Sequence, residues 1–232
     1  MLPKFEQFEG KIGITFSDKK LLKEAFTHRS YLNEHKGNTS NHNERLEFLG
    51  DAVLELVITK FLFEKYPKAN EGDLTAYRAA LVNAVTLSEV SKNLGVEEFL
   101  LLSKGEAKDK GRARDSILAN TFESVVGAIY LDQGYDLATK FIARYVFPLT
   151  DKIVAEKTWL DKKSHFQEQA QERAGITPSY KTLEEVGPDH DKCFKVGIYL
   201  GNELVAGGEG RSKQEAEQDA AKRALEKKGW LA

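Results

Sequence analysis

Glu44, Glu47, Asp51 and Glu55 recur at intervals of three and four residues within the run 43–66. At 100° per residue they fall within about an 80° arc of one helix face. Most of the remaining circumference is apolar: Leu46, Phe48, Leu49, Ala52, Val53, Leu54, Leu56, Val57 and Ile58. A helix apolar on every other side is expected to be buried. Four carboxylates at these spacings repel one another, so something positive should compensate them. The bland alternative is a solvated face without chemistry. The narrow stripe, its single sign and the lack of interleaved Lys speak against that alternative.

The run 116–132 behaves in the same way. Ile117, Leu118, Phe122, Val125, Val126, Ile129 and Leu131 are apolar, while Asn120 and Glu123 stand three residues apart, with Gly127 on the same side. A Glu in so apolar a helix is seldom buried unless it is paired or bound to metal. Packing Glu123 against Glu47 and Asp51 would assemble a carboxylate cluster. Hard oxygen ligands without Cys favour Mg²⁺, with Mn²⁺ as a substitute. A di-iron bundle wants Glu-x-x-His pairs, and no His follows any Glu by three residues. All-oxygen Mg²⁺ sites serve phosphate chemistry. No Gly-rich phosphate loop is present, so phosphodiester hydrolysis is the natural reaction. His28 and His42 invite a general-base role, which a metal makes unnecessary.

The elements that must position these groups divide the chain in two. Up to about residue 150 the periodicity is helical, over 18–33, 44–65, 72–94, 115–131 and 134–155, with no convincing strand. Polar breaks at 37–43, 66–67 and 104–114 separate the runs. After Thr158 the pattern predicts a short helix over 163–174, then strands at Tyr180–Val186, Cys193–Leu200 and Glu203–Ala206. Gly201-Asn202 joins the last two as a hairpin. Ser212 with Glu215 three residues on is a capping box, opening a helix whose apolar face is Ala216, Ala220, Ala221 and Ala224. The expectation is an all-α domain over 1–155 followed by an α+β domain of order α-β-β-β-α over 156–232.

Composition narrows the class. The 232 residues are 41% hydrophobic and 30% charged, enough for a core and against disorder. One Cys excludes a disulfide framework. No apolar run suits a membrane span and the first ten residues lack a signal pattern, so a cytoplasmic protein with no membrane partner is expected. The net charge is −2 and both halves are near neutral. A nucleic-acid partner must therefore be argued from local patches.

The stretch Asn43–Leu56, NERLEFLGDAVLEL, resembles the signature of the ribonuclease III family. Leu118–Asp132 resembles that family's second catalytic segment, and Ala25–Tyr31 and Arg114–Ala119 also match. The C-terminal unit resembles a double-stranded RNA-binding domain. Almost the full chain is covered, in the order of the bacterial enzyme. The resemblance implies a Mg²⁺-dependent endoribonuclease that cuts double-stranded RNA and leaves 5′-phosphate and 3′-hydroxyl ends. It also implies a homodimer and the processing of rRNA precursors and other structured transcripts. The metal positions fall on Glu47, Asp51, Asn120 and Glu123, with Asp51 and Glu123 catalytic. Glu44 and Glu71 match further acids of the active-site valley, and Phe48 matches an aromatic that inserts into the partner subunit. Asn120 departs from the usual Asp of the bacterial enzymes; its amide oxygen can ligate Mg²⁺ but brings no charge.

In the second domain, Gln167 and Gln171 lie one turn apart on a helix, with Glu168 beside them. His190 sits in the loop GPDHD. Arg211, Ser212 and Lys213 open the last helix, whose N–H groups and dipole suit phosphate, and Lys222 lies further along. Gln214 stands where many relatives carry a second Lys. Together these are the expected contacts to A-form RNA. The alternatives are a non-cleaving double-stranded RNA-binding protein with the same fold, disfavoured by its mutually repelling acids, and a metal-storage module, which lacks the storage ligands.

Overall fold

The structure, a computed structural model, describes residues 3–35, 41–108, 111–155, 161–188 and 192–230. The chain forms two compact units, Met1–Trp159 and Leu160–Ala232. The first contains α1 (Phe5–Ile12), α2 (Lys19–Ala25), α3 (Arg29–Glu34), α4 (Glu44–Lys65), α5 (Glu71–Val82), α6 (Ala84–Leu94), α7 (Arg112–Gln133), α8 (Tyr135–Tyr145) and α9 (Leu149–Ala155). Extended pairing among its described residues is confined to a single parallel bridge, Thr27 to Leu101.

α4 and α7 are the axis of this unit and make its most extensive interhelical contact. Their backbones touch. A Cβ on Gly50 would lie 1.8 Å from the Glu123 carbonyl oxygen, and one on Gly127 would lie 2.3 Å from that of Leu46. Only glycine allows this approach at either position. The crossing is then sealed by Leu46, Val53, Leu54, Val57, Ile58, Leu118, Phe122, Val125, Val126 and Ile129, all buried. Buried Asn43 pins the start of α4: its amide N–H donates to Thr27 O at 2.9 Å and its Nδ2 to Ala25 O at 3.3 Å. Ser124 Oγ of α7 donates to Asn120 O at 2.7 Å and lies 3.3 Å from Asn43 O.

Several expected helices are subdivided. The run 72–94 breaks at Asn83, which is extended (φ −70°, ψ 158°) and caps α6 by accepting from Thr86 N at 2.9 Å. Thr27 leaves the run 18–33 to pair with Leu101. The run 134–155 breaks between α8 and α9, where Pro148 lacks an N–H to donate. α1 lies outside the expected helical runs; it is anchored by Phe8 and Ile12, and buried Glu9 accepts from Phe16 N and Lys19 Nζ.

One expectation about α4 is overturned. The helix is not buried all round: Phe48, Leu56 and Phe63 are 81%, 58% and 72% exposed. They form an apolar stripe beside the acids, because α7 and the core cover only the opposite side.

The second unit has the expected α-β-β-β-α order: α10 (Lys162–Ala174), β1 (Ser179–Val186), β2 (Cys193–Leu200), β3 (Glu203–Gly210) and α11 (Lys213–Lys228). The sheet is antiparallel in the order β1-β2-β3. β3 runs on past Ala206, through three glycines that carry no hydrophobic alternation. A Cβ on Gly208 would lie 2.1 Å from Ala220 N, so α11 lies directly on the strand through its alanine face. No described helix is long and apolar enough to cross a membrane.

Substituting Ala for Gly50 or Gly127 should push α4 and α7 apart. The gain in helix propensity is about 1 kcal/mol, and the steric cost is larger, so a net loss of about 1–3 kcal/mol is expected. Gly10 of α1 has open space at its Cβ, and Gly10→Ala should be neutral or stabilising. Urea unfolding of the three variants checks this contrast.

Candidate active site

The glycine crossing sets which side chains face each other. On α4, Glu47 and Asp51 flank Gly50; on α7, Asn120 and Glu123 precede Gly127. Glu123 is largely shielded from solvent, and its carboxyl is pushed up to about 8, first by desolvation and then by repulsion from Asp51, Glu47 and Glu55. Glu47 is also raised, by desolvation and by Glu44 and Asp51, partly offset by a hydrogen bond from the Asn120 amide. An amide that donates to a carboxylate does so through its nitrogen and still has an oxygen that a cation could use.

The couplings link Glu123 to Asp51, Glu47 and Glu55, and Glu47 to Asn120. Glu55 belongs to the acidic stripe, but spacing alone does not reveal that it acts on Glu123. Glu44 is partly drawn away: its two oxygens lie 3.5 Å from Arg29 Nη1 and 3.8 Å from His42 Nδ1. Glu71 opens α5 and accepts from Thr75 Oγ1 at 3.4 Å; the repulsions acting on Glu123 do not include it. His28 accepts from Ser30 N and bonds to Ser30 Oγ at 2.8 Å, a helix-capping role. Its pKa is lowered, chiefly by burial.

The donor set is all oxygen, and every charge that acts on Glu123 is negative. This is the situation that a hard divalent ion resolves. Among the described residues no three acidic, His or Cys side chains converge into a ready-made cage. The residues fit such an ion by their chemistry. Gly50 is a site determinant that sequence reasoning missed, although a glycine inside an apolar helix, at a cost of about 1 kcal/mol, is itself a signal of close packing.

In the second unit Gln167, Glu168 and Gln171 stand on α10 and, with Ser164, Glu172 and Thr177, line an open groove. Ser212 caps α11 by accepting from Glu215 N at 3.2 Å, and Glu215 Oε2 accepts from Arg211 N at 2.9 Å. Lys213 is paired with Glu185 at 2.8 Å. Lys222 is exposed, but nine residues from Lys213 is roughly half a revolution, so the two stand on different sides of α11. His190 lies outside the described residues.

The comparisons agree with this architecture. The family model described as Ribonuclease-III-like matches residues 18–149, and that for the double-stranded RNA binding motif matches 162–228. Ribonuclease 3 of a Nitratiruptor species is 44% identical over 97% of this chain and 96% of its own. Ribonuclease 3 of Geobacillus thermodenitrificans is 47% identical over 96% of this chain and 90% of its own. Among solved structures, the nuclease domain of ribonuclease III from Campylobacter jejuni aligns with a TM-score of 0.57 and 39% identity, over 62% of this chain and 97% of that one.

Glu123 also makes a pH-dependent contribution to the metal-free fold. Its carboxyl keeps its proton up to about 8 when folded and loses it near 4.5 when unfolded. Its contribution is therefore fully present below 4.5 and is lost as pH rises through 8. In EDTA, Glu123→Gln should match the parent near pH 4.5 and exceed it above pH 8 by on the order of 2 kcal/mol, after discounting for solvent screening. Thermal unfolding across that range checks the difference. The architecture of both units, their matching family models and the near-full-length relatives place this chain in the ribonuclease III family.

Proposed function

We propose that this chain is a Mg²⁺-dependent endoribonuclease that hydrolyses phosphodiester bonds of double-stranded RNA, leaving 5′-phosphate and 3′-hydroxyl ends. The observation that carries the proposal is the uncompensated carboxylate cluster where α4 meets α7, in a chain that also has a double-stranded RNA binding motif. Asp51 and Glu123 are the residues to hold a catalytic ion, with Glu47 and Asn120 completing its oxygen donors. A divalent ion held there would supply water activation and neutralise charge developing on the phosphate. Mn²⁺ suits the same donors. Glu44 and Glu71 extend the acidic valley along which the duplex passes.

The exposed stripe Phe48, Leu56 and Phe63 favours a homodimer, with Phe48 entering the partner, because side chains this apolar and this exposed mark an interface. The Campylobacter domain is itself described as having a region involved in dimer formation. Gln167, Gln171, His190, Arg211, Ser212, Lys213 and Lys222 are the residues assigned to RNA contact. The cellular reading is a cytoplasmic enzyme that processes rRNA precursors and other structured transcripts. A protein that only binds duplexes has no need of acids that destabilise its own fold.

Long duplex RNA should be cut in Mg²⁺ and left intact in EDTA. Glu123→Gln should reduce cleavage to the EDTA level while leaving duplex binding in EDTA nearly unchanged. Binding without Mg²⁺-dependent cleavage by the parent protein would favour the non-cleaving alternative.

Asn120→Asp adds a charge beside the proposed ion. At a few ångströms and an effective dielectric of about 20 this interaction is worth several kcal/mol before desolvation, so a small fraction of it is measurable. The half-saturating Mg²⁺ for cleavage should fall severalfold with little change in maximal rate. An unchanged or higher value would remove Asn120 from the ligand set.

A further inference from the structure

Lys213 occupies the first turn of α11, where backbone N–H groups and the helix dipole favour an anion. An anion from this chain already meets the Lys213 ammonium. Lys213 Nζ lies 2.8 Å from Glu185 Oε1 on β1, and 5.6 Å from the centroid of the Phe194 ring on β2. Glu185 and Phe194 are direct partners in the β1–β2 ladder. The sheet register thus holds a carboxylate and an aromatic face side by side, and the lysine is fixed by both. Lys213 draws the Glu185 carboxyl below the usual range, and Lys192 adds a weaker attraction. The contact is open to solvent, with 57% of the lysine side chain and 39% of the glutamate side chain exposed. A phosphate oxygen can therefore reach the ammonium.

The neighbouring ion pairs of this unit differ in their setting. Lys195 lies between Glu184 and Glu209 across the sheet, and Lys163 joins Glu217 between α10 and α11. Neither of these lysines belongs to the group assigned to phosphate contact, whereas the partner of Glu185 does.

We propose that Glu185 is a resident competitor for phosphate: it occupies the Lys213 ammonium in the free protein and is displaced when an RNA phosphate takes its place. The exchange is one anion for another, with no net gain of an ion pair. Glu185 therefore lowers duplex affinity and blunts its salt dependence. It makes tight binding conditional on the remaining contacts, which must draw Lys213 away from its internal partner. The inference rests on the reading of Lys213 as a phosphate contact. An exposed pair is weak, so the effect is a modest one, about two- to fivefold in the dissociation constant.

The test uses the full chain and a blunt RNA duplex in EDTA, so that no cleavage intervenes, with affinity measured across a salt series for Glu185→Gln, Lys213→Gln and the double variant. Glu185→Gln should bind about two- to fivefold tighter, and its slope of log K against log salt should steepen by up to about 0.9, the value of one more phosphate neutralised. Lys213→Gln should bind more weakly. In the Lys213→Gln background the gain from Glu185→Gln should largely vanish. An equal gain in both backgrounds would mean a general loss of negative charge and would overturn the competition, as would no gain at all. If Lys213→Gln binds as the parent does, the phosphate assignment of Lys213 fails, and the proposal fails with it. If Lys213→Gln weakens binding and Glu185→Gln is silent, only the competition fails.

Discussion

Two glycines let two helices touch, and most of the first unit follows from that contact. Gly50 and Gly127 allow the backbones of α4 and α7 to meet, each leaving the space that the other helix's carbonyl fills. At such a separation the residues within about two turns of either glycine come close across the crossing. On one side of the crossing they are Leu46, Val53, Leu54 and Phe122, which seal a core. On the other they are Glu47, Asp51 and Glu123, whose carboxylates repel, with Asn120 bonded to Glu47. The same packing that stabilises the fold imposes the electrostatic cost that a divalent ion would offset. Core and site are two faces of one helix pair, so neither can be altered independently near the crossing.

The sequence displays this arrangement unevenly. The boundaries of α4 and the order of the second unit are legible because periodicity, capping residues and the Gly201-Asn202 hairpin all agree. The acidic stripe is legible because its charges are of one sign. The breaks at Asn83 and Thr27 are less so: Asn83 interrupts a helical pattern to cap Thr86 three residues on, and Thr27 does so for a distant contact with Leu101. The partial exposure of α4 is hidden for a related reason. Periodicity reveals which residues are apolar but not how many neighbours a single chain supplies, and here Phe48, Leu56 and Phe63 remain uncovered. Glu55's influence on Glu123, and the diversion of Glu44 toward Arg29 and His42, depend on side-chain directions that spacing does not give.

The second unit shows how a nearly neutral domain can still address a polyanion. Several of its cationic groups are held in local pairs, with Lys163, Lys195 and Lys213 each facing a carboxylate. Bulk charge therefore understates the local potential available once those pairs open. The α11 N-terminus combines a serine cap, a helix dipole and a lysine on one small surface, and the glycines of β3 allow α11 to lie against the sheet that carries Glu185.

The α4–α7 crossing is proposed to build one divalent-ion site from Glu47, Asp51, Asn120 and Glu123. Crystals of the full chain soaked with Mn²⁺ and measured at the manganese absorption edge test this most directly. An anomalous peak is expected within about 2.0–2.3 Å of carboxylate oxygens from Asp51 and Glu123, with Glu47 and Asn120 Oδ1 around it. A site occupied by Mn²⁺ elsewhere, with these four side chains unmoved and without density between them, would contradict it.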